Sequence, residues 1–279
     1  MKNEECRMED GIRPHRRAAF SILHSSFNIL HFPHFAHFPR QRAPEWIDAP
    51  DADPDDLRSS LAFIRRVNRF LGYNRATLGH LKGFSRRWGP AQKVRILDLA
   101  TGSADFPQEI IHWVDRVNRE RGWTWDVRVV GVDLHSETLA AARQETCKSG
   151  FQSGRSRIEL VRANALALPF PDGSFDYAIT SMFLHHLGED EVVRVLAGMD
   201  RVASRGIIAA DLLRSRRAYA WISLFTLFAN AMVRHDARVS VRQAFTKGEV
   251  LRLCERAGVG FAQYFTHFGH RFVISVEKA

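Results

Sequence analysis

Apolar residues follow two rhythms along this chain. Short Val-, Ile- and Leu-rich runs alternate with longer stretches whose apolar positions recur every three or four residues. The first rhythm predicts buried strands and the second predicts amphipathic helices. Strands are predicted at 94–99, 126–133, 157–163, 175–181 and 206–212, with helices at 105–121, 136–149 and 189–203. Such alternation predicts an α/β fold, a doubly wound and mostly parallel sheet that binds ligands at the carboxyl ends of its strands.

Ahead of the first strand, Asp53 is a good helix cap, Pro54 suits the first helical position, and Asp55 and Asp56 favour the positive end of the dipole. Leu57, Leu61, Ile64 and Leu71 then form a stripe at helical spacing. A second helix runs from Gly72 through Leu78, Leu81 and Phe84 to Trp88, ended by Gly89-Pro90. Residues 45–90 thus read as an N-terminal helical cap, 1–44 as an irregular or disordered extension, and 91–279 as the main domain. Within the extension, Arg13, Arg16 and Arg17 precede an apolar run in the manner of a signal peptide. His24, Ser25, Ser26 and Asn28 interrupt that run, so export is not expected. His31, His34 and His37 lie three apart, but Pro33 and Pro39 break the helix that would align them, and no metal site is expected.

Past the fifth strand, 218–233 is apolar on nearly every side, with Trp221, Phe225 and Phe228. It is too short to span a bilayer, so it reads as a buried element or as a lid over an apolar substrate, in an insertion at about 214–246. Phe245 to Glu249 reads as a strand end and cap before a helix at 249–257. The tail, 261–268 and 271–278, reads as an antiparallel hairpin around Gly269.

Composition narrows the partners. The net charge of +9 raises nucleic acid as a ligand, but the arginines are interleaved with Asp and Glu and form no dense block. An arginine-rich surface is expected, without a nucleic-acid partner and without stable membrane insertion. Cys6, Cys147 and Cys254 lie far apart with no CxxC spacing, which predicts neither disulfides nor zinc and fits a cytoplasmic protein.

The chemistry gathers around VRILDLATGSADF, Val94 to Phe106. A buried strand gives way to Ala100, Thr101, Gly102, Ser103 and Ala104, and a helix opens at Asp105. Tiny residues there bring bare N–H groups and a helix N-terminus against a ligand. Asp98 adds a carboxylate for a cationic amino group. Asp133 closes the second strand, ahead of Leu134, where a carboxylate can accept from both hydroxyls of a ribose, and Ser136 is expected to cap the next helix. A nicotinamide dinucleotide would use similar logic, but G-x-G-x-x-G is absent and Asp133 lies about thirty residues past Gly102.

With WDVRVVGVDLHSETLAAAR and RANALALPFPDGSFDYAITSMFLHHL following in order, the chain from about Pro44 onward resembles the class I S-adenosylmethionine (SAM) dependent methyltransferases. The likeness is strongest to the branch similar to ubiquinone and menaquinone biosynthesis methyltransferases. It implies a Rossmann-like sheet closed by a C-terminal antiparallel strand, SAM as cofactor and S-adenosylhomocysteine as product. It also implies cofactor contacts at Asp98, Ala100, Thr101, Gly102, Asp105, Asp133, Leu134, Asn164, Ala165 and Ser181. The family's first loop usually reads Asp/Glu-x-Gly-x-Gly-x-Gly, and here Ala100 and Ala104 stand at the outer glycine positions, where an ordinary φ is expected. Asn164 stands where the family often has Asp.

A methyl on a sulfonium is already activated, so its transfer chiefly needs alignment and a dry pocket, while a phenolic or carbon-acid acceptor also needs a base. Candidate bases are His185 and His186, just past 175–181, and His235 beside Asp236. Adjacent side chains point apart, so one of the pair is expected to face the site, with His186 preferred. Each also reads as a structural histidine. Tyr73, Met182, Trp221 and Arg242 are candidates to line the substrate, Arg242 by anchoring a carboxylate, carbonyl or phenolate. The resulting expectation is methyl transfer to an oxygen of an aromatic, quinone-like or polyketide-type small molecule. A C-methyltransferase on a similar ring is the alternative. An RNA methyltransferase fits less well, since Ser181-Met182-Phe183-Leu184 replaces an Asn-Pro-Pro-Tyr type motif, and the lost glycines motivate a non-catalytic SAM-fold partner.

Overall fold

The computed structural model describes residues 38–46, 59, 60, 63, 65, 72–150, 157–268 and 270–278. His31, His34, His37 and nearly all of the helix expected from Asp53 lie outside them. The strands are β1 (Lys93–Leu99), β2 (Asp126–Asp133), β3 (Ile158–Arg162), β4 (Phe175–Ser181), β5 (Ala203–Leu212), β6 (Gln263–His267) and β7 (Arg271–Glu277). They form one sheet in the order β3-β2-β1-β4-β5-β7-β6, parallel throughout except around β7, which runs antiparallel to both neighbours. The strand order reverses between β1 and β4, so their carboxyl ends flank the crevice where such sheets take ligands.

Alternation within the strands explains why both faces are covered. Leu97, Val130, Ala178 and Ile207 join one apolar cluster, while Ile96, Val129, Tyr177, Ile179 and Ile208 join another. Period-2 side-chain direction sends neighbours to opposite faces, and a strand buried on both faces reads as an unbroken apolar run. The helices are α1 (Tyr73–Phe84), α2 (Asp105–Arg121), α3 (Ser136–Lys148), α4 (Glu189–Val202), α5 (Arg216–Phe225), α6 (Ala231–Gln243) and α7 (Lys247–Arg256), of which α5 and α6 pack in a separate cluster with Tyr73 and Leu212. α4 buries Val192, Val195, Leu196, Met199 and Val202 on one stripe, and it opens on Glu189, Asp190 and Glu191. Thr246 and Glu249 exchange side-chain and backbone hydrogen bonds at the start of α7, a reciprocal cap.

The apolar stretch 218–233 is not one element. Ser215 caps α5 by accepting from the Ala218 N–H at 3.0 Å, and Asn230 caps α6 by accepting from the Val233 N–H at 2.8 Å. A side-chain cap starts a new helix inside an apolar run, and hydropathy alone does not reveal it. Leu224 and Phe228 in and after the end of α5 are exposed, so this stretch is only partly buried.

One glycine positions the ligand edge. Gly131 pairs with Asp98 across β1 and β2, and a Cβ there would lie 2.7 Å from Thr101 Oγ1 and 3.0 Å from its Cγ2. Thr101 therefore settles over β2 because that position has no side chain. Gly131→Ala is expected to lower stability by about 1–3 kcal/mol through overpacking, and Thr101→Ala in the same chain should recover part of the loss. Equal thermal midpoints for Gly131→Ala and the parent would refute this packing.

Candidate functional site

The loop after β1 is held from three directions. The Thr101 N–H donates to Val132 O at 2.9 Å, the Thr101 hydroxyl donates to Oδ2 of Asp98 at 2.6 Å, and the Gly102 N–H donates to Oδ2 of Asp133 at 3.1 Å. Ala100, Gly102 and Ala104 all have positive φ, at 54°, 56° and 57°. The expectation of an ordinary φ at the two alanines is therefore corrected. They keep the left-handed backbone that glycine would adopt freely, at about 1–2 kcal/mol each. The helix that follows, α2, has Ala104 as its N-cap and no side-chain acceptor there. Its first N–H groups thus face the tip of β1 without a capping side chain, the arrangement that takes a carboxylate or phosphate.

Asp133 stands at the tip of β2 between two loops, its Oδ1 accepting from the His135 N–H at 3.1 Å. The cap of α3 is His135 and not Ser136, whose hydroxyl donates to Glu137 at 2.9 Å. Leu134 is half exposed beside Asp133. Asn164 is exposed beyond β3, its Oδ1 accepting from the Leu166 N–H at 2.9 Å, with Ala165 next to it. Gly102 offers open space where a side chain would stand. An acceptor carboxylate, an apolar surface and an uncapped helix start around an open backbone are the groups that a ribose, an adenine and an amino-acid carboxylate need, so the edge fits a sulfonium nucleoside.

Asp105 starts α2 and accepts from the Asn74 side chain of α1 at 3.0 Å, which ties the helical layer to this loop. Asp98 is only 3% exposed, and burial pushes its carboxyl up to about 7 despite the Thr101 hydroxyl, with Asp105 and Asp133 adding to the rise. Its place is beneath the loop.

A second group forms just past β4. Ser181 ends that strand, Met182 follows with φ 59°, and Leu184–His186 make one 3-10 turn. The turn brings both histidines toward the same carboxylate. Glu45 Oε1 lies 3.7 Å from Nε2 of His185 and 4.0 Å from Nδ1 of His186, and the two rings are 4.2 Å apart. The expectation that adjacent side chains diverge holds for a strand and fails in this tight turn. Exposure does separate them. His185 is buried, with Nδ1 donating to Asp211 at 2.7 Å and its backbone N–H donating to the other oxygen at 2.8 Å. His186 is 30% exposed and, with Arg42, Ala43, Pro44, Glu45 and Gln243, lines a cleft of about 320 Å³.

The segment 38–46 is irregular in backbone but anchored. Arg40 donates to the carbonyls of Leu187 (2.7 Å), His185 (3.1 Å) and Gln243, and its guanidinium lies 3.8 Å over the Phe245 ring. Glu45 accepts from Ser240 at 2.7 Å and Gln243 at 3.3 Å, both on α6. His235, also on α6, stacks on Trp46 at 4.1 Å with Nδ1 at 2.9 Å from Asp236. Sequence reasoning missed Glu45 and Asp211. Glu45 sits in a stretch with no periodicity, and Asp211 is a polar break in an apolar strand, a signal that could have been read.

The other lining candidates lie apart from this cleft. Tyr73 is buried under the Arg271 guanidinium at 3.7 Å, and desolvation pushes its hydroxyl up to about 12. With Trp221, Leu212, Ala218 and Val241 it surrounds a space of about 10 Å³, room for about one water. Arg242 donates to the Tyr219 hydroxyl at 2.9 Å and stacks on its ring.

Comparison with known proteins bears on the fold and the class of enzyme. A family described as "Methyltransferase domain" matches residues 97–210. The chain is 28% identical over 155 residues to a demethylmenaquinone methyltransferase of Geobacillus stearothermophilus, a match covering 56% of this chain and 59% of that relative. Less than two thirds of that relative's length is therefore spanned. In structure it is similar to magnesium protoporphyrin IX methyltransferase of Synechocystis with bound SAH, at TM-score 0.54 and 12% identity, over 80% of this chain and 97% of the other. It is also similar to human N-acetylserotonin methyltransferase in complex with SAM, at TM-score 0.53 and 17% identity, over 78% and 55%. At these identities the two structures establish the fold.

The raised carboxyl of Asp98 has a stability consequence. Its proton is held more tightly in the fold than at the ordinary 3.8, so the stabilisation present below that value is lost as pH rises toward about 7. Asp98→Asn carries no such slope. Its unfolding free energy, measured by denaturant titration, should match the parent near pH 4 and exceed it at pH 8, by about 4 kcal/mol. A difference that stays constant across this window would place the titration elsewhere.

Proposed function

We propose that the chain is a class I SAM-dependent methyltransferase and that it methylates an oxygen of an aromatic, quinone-like or polyketide-type small molecule, a reading supported by the methyltransferase-domain match over residues 97–210. When bound, SAM supplies a methyl group on a sulfonium, already activated for displacement by a nucleophile. Asp133 holds the ribose hydroxyls, and the first turn of α2 takes the amino-acid carboxylate. Leu134, Asn164 and Ala165 would hold the adenine. Asp98 sets the loop from below.

The observation that carries the acceptor side is the half-exposed His186 beside Glu45 in a cleft at the carboxyl end of β4. An imidazole there takes the proton of a phenol or enol as the oxygen attacks, and the neighbouring carboxylate stabilises the imidazolium. The proton lost by the acceptor thus stays on the protein, and the oxygen is left as the nucleophile. His185 is the positioning residue of the pair, since Asp211 occupies its other nitrogen. Ala43 and Pro44 give the cleft an apolar wall, and the demethylmenaquinone methyltransferase relative supports a ring acceptor of quinone type. A carbon nucleophile on the same ring is the second reading, because an enolate formed by the same base attacks as readily through carbon.

Asp133→Ala should weaken SAM binding by about 1–3 kcal/mol through the lost ribose hydrogen bonds, measured by titration calorimetry. Affinity equal to the parent's would remove Asp133 from the site. His186→Ala should lower turnover on a phenolic acceptor by roughly 10²-fold or more while SAM affinity stays nearly intact. Parent-level turnover would refute the role given to His186. Mass spectrometry of a metabolite extract incubated with the enzyme and isotopically labelled SAM identifies the acceptor and the atom methylated.

A further inference from the structure

Beside the cleft, Nε2 of His185 faces Oε1 of Glu45, an oxygen that Ser240 and Gln243 already hold in place. Nδ1 of His185 carries the proton donated to Asp211, so its Nε2 presents a lone pair. That lone pair and Oε1 of Glu45 are 3.7 Å apart, beyond hydrogen-bond length. Nδ1 of His186 lies 4.0 Å from the same oxygen, and the three ligand atoms lie within 4.8 Å of one another. The charges are also unbalanced. Glu45 and Asp211 are 6% and 1% exposed, and among the described residues no lysine or arginine lies within 4 Å of either. A buried carboxylate with no lysine or arginine beside it is a group that a bound cation would satisfy.

We propose that Glu45, His185 and His186 bind one divalent transition-metal ion of the zinc class. Two imidazoles and a carboxylate are borderline donors suited to such ions, and three protein ligands with an open position are the pattern of a reactive site. Bonds of about 2.0–2.1 Å put tetrahedral donors roughly 3.3 Å apart, so the three groups need to close by at most about 1.5 Å. The supporting contacts are in place. Asp211 fixes the ring of His185, and Ser240 and Gln243 fix the carboxylate of Glu45.

The open position faces the cleft, where a hydroxyl or carbonyl oxygen is the fitting fourth ligand. With the ion bound, His186 contributes as its ligand, and the ion takes over the task of holding the acceptor's oxygen in its deprotonated form, the proton leaving to water in the cleft. Metal binding itself stands independently of methyl transfer.

The test uses the full chain, stripped with chelator and titrated with Zn²⁺ by calorimetry and with Co²⁺ by visible absorption. One equivalent of each is expected, with Co²⁺ giving the intense d–d bands of a four- or five-coordinate site. Glu45→Gln and His186→Ala should each weaken Zn²⁺ binding at least tenfold, and Asp211→Asn by roughly 10–100-fold. His186 is half exposed, so its variant keeps the test open should Glu45→Gln fail to fold, which circular dichroism checks. Changing His31, His34 and His37 together to Ala should leave binding intact. The proposal is overturned if the folded protein takes up no stoichiometric metal, since protons then neutralise the cluster. It is equally overturned if Glu45→Gln and His186→Ala bind as the parent does, or if uptake disappears with the N-terminal histidines.

Discussion

The buried carboxylate of Asp211 fixes how the acceptor edge is built. It accepts the ring proton and the backbone N–H of His185, and it also accepts the N–H of Leu212 at 2.6 Å. A carboxylate at 1% exposure persists only when its lone pairs are satisfied. Three donors do so, and two of them belong to one residue of a different element. The turn after β4 is thereby bolted to β5 in both position and tautomer. Once the turn is fixed, its carbonyls at His185 and Leu187 form a dock for Arg40, and Arg40 in turn delivers Glu45 to the histidines. Removing Asp211 would release the turn, the docked segment and the carboxylate together.

The donor edge rests on a different device. Its loop keeps left-handed backbone at Ala100 and Ala104, which alanine resists by about 1–2 kcal/mol apiece. That strain persists because the contacts at Thr101 and Gly102 over-determine the path, and because Gly131 makes room for Thr101. The two edges are adjacent because β1 and β4 are neighbours, paired Leu99 with Thr180, whose hydroxyl donates to the Leu99 carbonyl at 3.1 Å. Chemistry between a bound donor and a bound acceptor therefore depends on one strand pairing at the point where the sheet order reverses.

Much of this was legible in the sequence, and the reasons are physical. Strands buried on both faces declare themselves as apolar runs, so β2 and β4 begin and end where the pattern places them, and α2 does the same through its periodicity. The loop after β1 and the tip of β2 were legible as backbone features because their residues lie within a few positions of a strand end. The acceptor edge was not. Glu45 meets partners 140 to 198 residues away, from His185 to Gln243, and no local rhythm encodes such a meeting. The break between α5 and α6 was missed because a single Asn side chain outweighs the hydropathy around it. The divergence expected of His185 and His186 assumed extended backbone, and a 3-10 turn removed that assumption.

The lost glycines bear on how such a motif is read. A glycine-rich fingerprint marks a backbone shape, and residue identity is only its cheapest means. Where the surrounding hydrogen bonds hold that shape, an alanine pays about the same conformational toll that any L-residue does at positive φ, and the shape survives. The one glycine retained, Gly102, is the position at which a side chain would project into open space at the crevice. Of the outer positions, Ala104 is fully buried and Ala100 partly so. The shape of the loop is held jointly by Thr101, Asp98 and Gly131. A departure from the fingerprint at the outer positions consequently argues for a stiffer loop, and it gives no reason to infer a site that has ceased to bind.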